Sequence, residues 1–276
     1  MYMRACVSLL PAVLVTPRVP SQPPPEPPGR RADLTVGRLF VPETYRADPA
    51  GIHLVLHLHG AHWAAEQALV ESGWNAVMVS AVLNGLSGVY AEQFRDPAVF
   101  RSILTEVCAH AGDVGLPADA PITRVTVTSF SAGFGGVREL LKHDDLYERI
   151  DALVMADSIH AGFVGDPALR QVDPVAMEGF LRFARDAAAG RKTMVISHSE
   201  IRPDTYASTT ETADYLLSQL GATREPCSDE WAPGLTCTSR FERAGFHLFG
   251  FMGTTAPDHM HHFHHLSLPM QHAAPH

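Results

Sequence analysis

Ser131 stands where two residue patterns meet. Before it, residues 122–130 (Ile-Thr-Arg-Val-Thr-Val-Thr-Ser-Phe) are β-branched and alternate in polarity; after it come Ala132-Gly133, then Gly135-Gly136 and a helical pattern over 135–143. A strand that turns sharply into a helix holds the residue at the bend in a strained backbone conformation and points its hydroxyl outward. The flanking residues must be small, because strand and helix nearly touch there, and Ser129, Ala132 and Gly133 meet that need. A serine hydroxyl becomes a useful nucleophile only when a base takes its proton. The chain has 16 histidines, and two groups stand out: His57-x-His59-x-Ala61-His62, and His259, His261, His262, His264 and His265. Carboxylates follow two apolar runs, Asp157 directly after 152–156, and Glu200 and Asp204 after 193–197.

The elements that would position these groups alternate between strands and helices. Strands are expected over 34–41, 52–59, 75–83, 122–130, 152–156, 193–197 and 241–252. Helices are expected over 91–111, 135–143, 173–189, 209–220 and 258–268. Pro174 suits the first turn of a helix and Gly221 the end of one. Short apolar strands separated by helices predict an α/β fold: a mostly parallel central sheet with helices on both faces. Ligands in such sheets sit beyond the C-terminal strand ends, which is where Ser131 and Asp157 fall.

In this context Ser129-Phe130-Ser131-Ala132-Gly133 resembles the Gly-x-Ser-x-Gly nucleophile elbow of the α/β-hydrolase superfamily, in a serine esterase-like form. Ser129 replaces the usual first glycine. The segment Leu54-Val55-Leu56-His57-Leu58-His59-Gly60-Ala61-His62-Trp63 is similar to the strand and His-Gly loop of the same family, and the likeness covers about residues 34–268. The resemblance implies Ser131 as nucleophile. It implies an oxyanion hole made by the backbone N–H groups of Ala132 and of Ala61 or His62. The family order is serine, acid, histidine, with the histidine after the last strand; this implies His259 as base, with His262 as the alternative. For the acid it leaves Asp157 and Glu200 open, with Asp204 close behind. Asp157 is preferred, because it follows an apolar strand without intervening residues and has the shorter side chain, whereas Arg202 offers Glu200 a surface ion pair. The resemblance further implies acyl transfer to water, on esters rather than amides, and no cofactor. Only 158–172 separate the strand before Asp157 from the next helix. That leaves little or no lid and an open crevice, suited to short-chain or bulky, even polymeric, esters. Trp63 and Tyr90 are the candidate substrate-contacting aromatics.

Other readings compete. His57, His59 and His62 have the spacing of the metallo-β-lactamase signature His-x-His-x-Asp-His and could ligate zinc in a metal-dependent hydrolase. Ala61 stands where that family has its aspartate, and for His57 an interior hydrogen-bonded role is the favoured expectation. A noncatalytic binding module on the same fold is the third reading. Nucleic acid is disfavoured as a partner by a net charge of −9 and the lack of a Lys/Arg cluster. No apolar run is long enough to span a bilayer, and no obligate protein partner is inferred. Hydrophobic residues at 46% and charged residues at 18% exclude a disordered chain.

At the N-terminus, residues 1–16 read as a signal peptide, with a short apolar stretch from Cys6 to Val15 but no clear Ala-x-Ala site. Residues 17–31 read as a proline-rich linker in extended conformation, and 32–276 as one α/β-hydrolase-like domain. The expected location is secreted or periplasmic, otherwise cytoplasmic. Cys227 and Cys237 flank a turn-rich stretch and could close a hairpin in an oxidising compartment, whereas Cys108 is expected to be a buried thiol.

Overall fold

A computed structural model describes residues 25–274, so the expected leader and most of the linker lie outside the described residues. Among them, eleven strands form one mixed sheet. Its centre is six parallel strands: β3 (Ile52–Leu58), β4 (Val77–Ala81), β5 (Ile122–Phe130), β6 (Ala152–Ala156), β7 (Thr193–His198) and β11 (Phe246–Phe251), in the spatial order β4-β3-β5-β6-β7-β11. The edges are antiparallel. β1 (Gly29–Asp33) and β2 (Arg38–Pro42) flank β4. β10 (Leu235–Arg243) pairs β11 and is met by the short β8 (Glu225–Pro226) and β9 (Glu230–Ala232). β1 begins at Gly29, inside the stretch read as linker.

The central strands are apolar almost throughout because both of their faces are covered. Alternate residues of β3 divide between two cores: Leu54, Leu56 and Leu58 face one, Val55 the other. The first core is closed by α2 (Ser87–Phe94), α3 (Pro97–Ala109), α4 (Phe134–Leu140), α5 (Asp144–Arg149), α6 (Pro174–Ala188) and α7 (Thr209–Gln219). The second is closed by α1 (His62–Ser72), α8 (Ala256–His264) and α9 (Ser267–His272).

The sequence pattern differs from the observed elements at four places. Residues 34–41 were expected as one strand, but Leu34 N–H donates to Gly37 O at 3.0 Å, and Gly37 at φ 95° turns β1 into β2. Residues 241–252 divide into β10 and β11, joined at Ala244-Gly245 with Ala244 at φ 49°. The helix expected over 91–111 breaks at Asp96-Pro97, where Asp96 caps α3 by accepting from Ala98 N–H at 2.8 Å. The final helix divides into α8 and α9. Helix α1, which carries Trp63, is an element the pattern reading passed over. Cys108 is exposed rather than buried: the inward stripe of α3 is Phe100, Ile103 and Val107, and Cys108 lies about 100° around the helix from Val107. Cys227 and Cys237 are joined in a disulfide with Cα atoms 6.0 Å apart.

Candidate active site

Ser131 ends β5 in a backbone conformation that few L-residues adopt, with φ 46°. A single 3-10 turn (Ser131–Gly133) follows and leads directly into α4. The bend depends on closeness. A Cβ built on Gly133 would lie 2.3 Å from Leu58 O and 2.6 Å from Ser129 Oγ, and one on Gly135 would lie 2.1 Å from Ser87 O. Ser129, which replaces the first glycine of the motif, is fully buried. Its hydroxyl bonds Ser158 Oγ at 2.6 Å, and Ser158 donates to Ser131 O at 2.9 Å.

Asp157 also sits in left-handed backbone, at φ 43°, directly after β6. Its carboxylate is buried and fully engaged. Oδ1 accepts from Ser199 N–H at 2.9 Å and from the Thr209 hydroxyl, and Oδ2 accepts from His259 Nδ1 at 2.6 Å. Burial alone would raise its pKa. The hydrogen bond from His259, the nearby imidazoles and the Thr209 hydroxyl outweigh that and hold the carboxyl well below the usual carboxylate range. A carboxylate can only accept, so Nδ1 of His259 carries a proton, and in the neutral ring Nε2 is the nitrogen with the lone pair.

His259 lies in the first turns of α8. Its position is set by the capping box in which the Thr255 side chain accepts from Asp258 N–H and Asp258 accepts from Thr255 N–H. The ring stacks on Phe130, the residue before Ser131, with centroids 4.5 Å apart. Ser131, Asp157 and His259 line one depression of about 250 Å³, together with His160, Tyr206 and Thr209. Ser131 also opens onto an adjoining depression of about 370 Å³, walled by Leu86, Phe134, Arg138, His160 and Tyr206. Ala132 lines the second depression; Ala61 precedes α1 as its N-cap, and His62 begins that helix.

The alternatives fare differently. His262 is buried, bonds Ser197 Oγ through Nδ1 at 2.9 Å, and is pushed down to about 4 by burial. It lies against the second core, edge-on to Phe251 with centroids 5.4 Å apart and next to the buried Phe263. Glu200 is exposed and accepts from Gly253 N–H at 3.3 Å; it lines neither depression with Ser131. Tyr90 is buried with its hydroxyl accepting from Leu83 N–H at 2.9 Å, so it braces the 82–90 loop and cannot touch a substrate. Trp63 packs against the second core, 6.3 Å from the His264 ring, and lines neither depression.

The zinc reading of the first histidine group fails on hydrogen bonding. The three imidazoles go to separate partners: His57 to Thr128 Oγ1 and His59 O at 2.8 and 2.6 Å, His59 to the Tyr90 hydroxyl at 3.2 Å, His62 to Ser80 Oγ at 2.6 Å. His57 is fully buried, and burial holds it down at about 4.

Pattern reading missed four residues. His160 faces both depressions, its Nδ1 donating to Ala207 O at 3.1 Å, which leaves Nε2 as an acceptor. Tyr206 stacks edge-on against it at 5.2 Å. Thr209 and Ser199 hold the Asp157 carboxylate. Only the place of His160 three residues after Asp157, in the same strand-end loop, was available as a signal.

No protein-family model matches the chain, and no curated protein matches it. Solved structures do. A feruloyl esterase module from Clostridium thermocellum, complexed with sinapinate, superposes with a TM-score of 0.50 at 11% identity over 90% of each chain. An uncharacterised protein from Capnocytophaga ochracea superposes with a TM-score of 0.50 at 11% identity. That match covers 88% of this chain, which spans 64% of the other's length. The fold is therefore α/β-hydrolase-like, with a mixed rather than wholly parallel sheet.

Proposed function

We propose that the protein is a serine hydrolase, and specifically a carboxylesterase that works through an acyl-enzyme. The observation that carries the reading is the hydrogen bond from His259 to the buried Asp157 carboxylate at the depression onto which the strained Ser131 opens. Ser131 Oγ attacks the ester carbonyl carbon while His259 Nε2 takes its proton. Asp157 keeps Nδ1 protonated and stabilises the imidazolium. The carbonyl oxygen, now anionic, is held by the N–H of Ala132 and by that of Ala61 or His62, each contributing about 3 kcal/mol in the transition state. His259 returns the proton to the departing alcohol. Water, deprotonated by the same imidazole, then attacks the acyl carbon and Ser131 leaves protonated.

The two adjoining depressions give the acyl and alcohol parts separate places. Leu86 and Tyr206, 77% and 43% exposed, offer apolar walls at the rim, and they replace Trp63 and Tyr90 as substrate contacts. His160 Nε2 offers an acceptor to a substrate hydroxyl. The open form of the crevice favours short-chain or bulky esters. Export to a secreted or periplasmic location belongs to the same proposal and is supported by the Cys227–Cys237 bridge, a bond that persists in oxidising compartments.

The test is hydrolysis of p-nitrophenyl acetate, p-nitrophenyl butyrate and methyl sinapate by wild type and Ser131→Ala, with a serine-reactive phosphonate and with EDTA. Ser131→Ala is expected to retain less than roughly one part in 10⁴ of the activity, and the phosphonate to modify Ser131 stoichiometrically. Inhibition by EDTA but not by phosphonate would instead select metal-dependent hydrolysis. Inactivity on every ester with no phosphonate adduct would select a binding module.

A further inference from the structure

A second cluster of ligating side chains lies outside both depressions. Glu242 on β10 and His247 on β11 are direct cross-strand partners, and His247 Nδ1 bonds Glu242 Oε2 at 2.9 Å. His272, the last residue of α9, comes down on the same pair. One donor atom from each of the three lies within 4.8 Å of the other two. The His272 ring is not free to wander: it stacks on Trp231 with centroids 5.0 Å apart and meets Phe249 at 4.6 Å. We propose that Glu242, His247 and His272 form a binding site for a divalent transition-metal ion of the zinc class, which latches the C-terminal helix α9 onto the β10–β11 hairpin.

The donor set fits that class. Two imidazoles and one carboxylate suit zinc, and cobalt or nickel as its substitutes, while the oxygen-seeking magnesium and calcium ions prefer more carboxylates. Zinc with ligands near 2.0–2.1 Å brings tetrahedral donor atoms to about 3.3 Å from one another. Glu242 is exposed at the surface, and its flexible side chain can move inward by the required ångström or so. Three protein ligands leave the fourth position to water. The histidines of α8 that patterning singled out are not part of this group. A pairing of strand neighbours alone accounts for Glu242 and His247; it does not account for a third ligating ring arriving from a separate element.

The experiment uses the whole chain, stripped with EDTA and dialysed. Zinc is titrated calorimetrically, thermal unfolding is followed with and without zinc, and cobalt binding is followed by its visible absorption. One saturable equivalent is expected, with an unfolding temperature raised by several degrees. Glu242→Gln, His247→Gln and His272→Gln should each weaken zinc binding tenfold or more, with circular dichroism unchanged. A combined His261→Gln, His264→Gln, His265→Gln variant should bind as wild type does. The proposal is overturned if no stoichiometric equivalent binds, if the three single substitutions leave the affinity intact, or if the α8 variant is the one that loses it.

Discussion

Asp157 concentrates the argument at the scale of single residues. Its side chain accepts from His259, Ser199 and Thr209 at once, so replacing one oxygen by an amide both removes an acceptor and turns a donor toward the Nδ1 proton. Asp157→Asn should lower kcat/KM for p-nitrophenyl butyrate by roughly 10³–10⁴. Glu200→Gln, on an exposed carboxylate, should change it less than twofold; equal losses in the two variants would reject Asp157 as the acid. A second expectation concerns Ser158, which joins the loop after Asp157 to the carbonyl of Ser131. Ser158→Ala removes that link and leaves Ser129 Oγ without its buried partner. The cost should be about 1–3 kcal/mol in denaturant unfolding, accompanied by a fall in kcat larger than any change in KM. A stability as high as wild type would show that the three-serine chain contributes nothing.

At the scale of elements, the site exists because β3, β5 and α4 approach one another more closely than side chains allow. Gly133 marks the contact, with Leu58 O where its Cβ would be. Gly133→Ala is expected to yield little soluble protein, or a folded protein with the turn displaced and activity lost. Measured expression, circular dichroism and ester hydrolysis together check this, and wild-type values in all three would contradict it. The elbow was legible from residue order because β-branched alternation followed by small residues has one economical local solution. Helix α1 and the division of residues 91–111 were harder to read. Asp96-Pro97 is a capping signal inside an otherwise continuous apolar period, and α1 buries its residues partly through partners in α8 and α9 that lie far along the chain.

For the whole molecule, the distribution of histidines predicts its response to acid. His53, His57, His198 and His262 are held by burial at about 3, 4, 3 and 4, against an unfolded value near 6.5. Their folded values are depressed, so between pH ~6.5 and ~4 the unfolded chain takes up protons that the native chain refuses. Stability therefore falls as pH is lowered through that window, by up to about 1.4 kcal/mol per pH unit for each such group. Asp157, depressed in the opposite chemical sense, loses its contribution only at still lower pH, below the usual carboxylate range. Thermal unfolding between pH 7.5 and 4.5 should show a steadily decreasing midpoint, and His57→Gln should reduce the slope. A midpoint flat across that range would contradict the burial of these rings.

Residue order alone determined the alternation of strands and helices and the bend at Ser131; it left the pairing of Cys227 with Cys237 open, and the structure closes it. The alternation and the bend each depend on neighbours within a few positions, whose propensities and spacing are local facts. The acid and the base were narrowed but not separated by sequence, because Asp157 and Glu200 both follow apolar runs, and His259 and His262 lie within one turn of each other. Tertiary packing separates the two histidines: one ring lies against Phe130 and Asp157, and the other lies in the interior beside Ser197. The same holds for Trp63 and Tyr90, whose aromatic character was visible but whose packing, Trp63 partly buried against the second core and Tyr90 fully buried, was not.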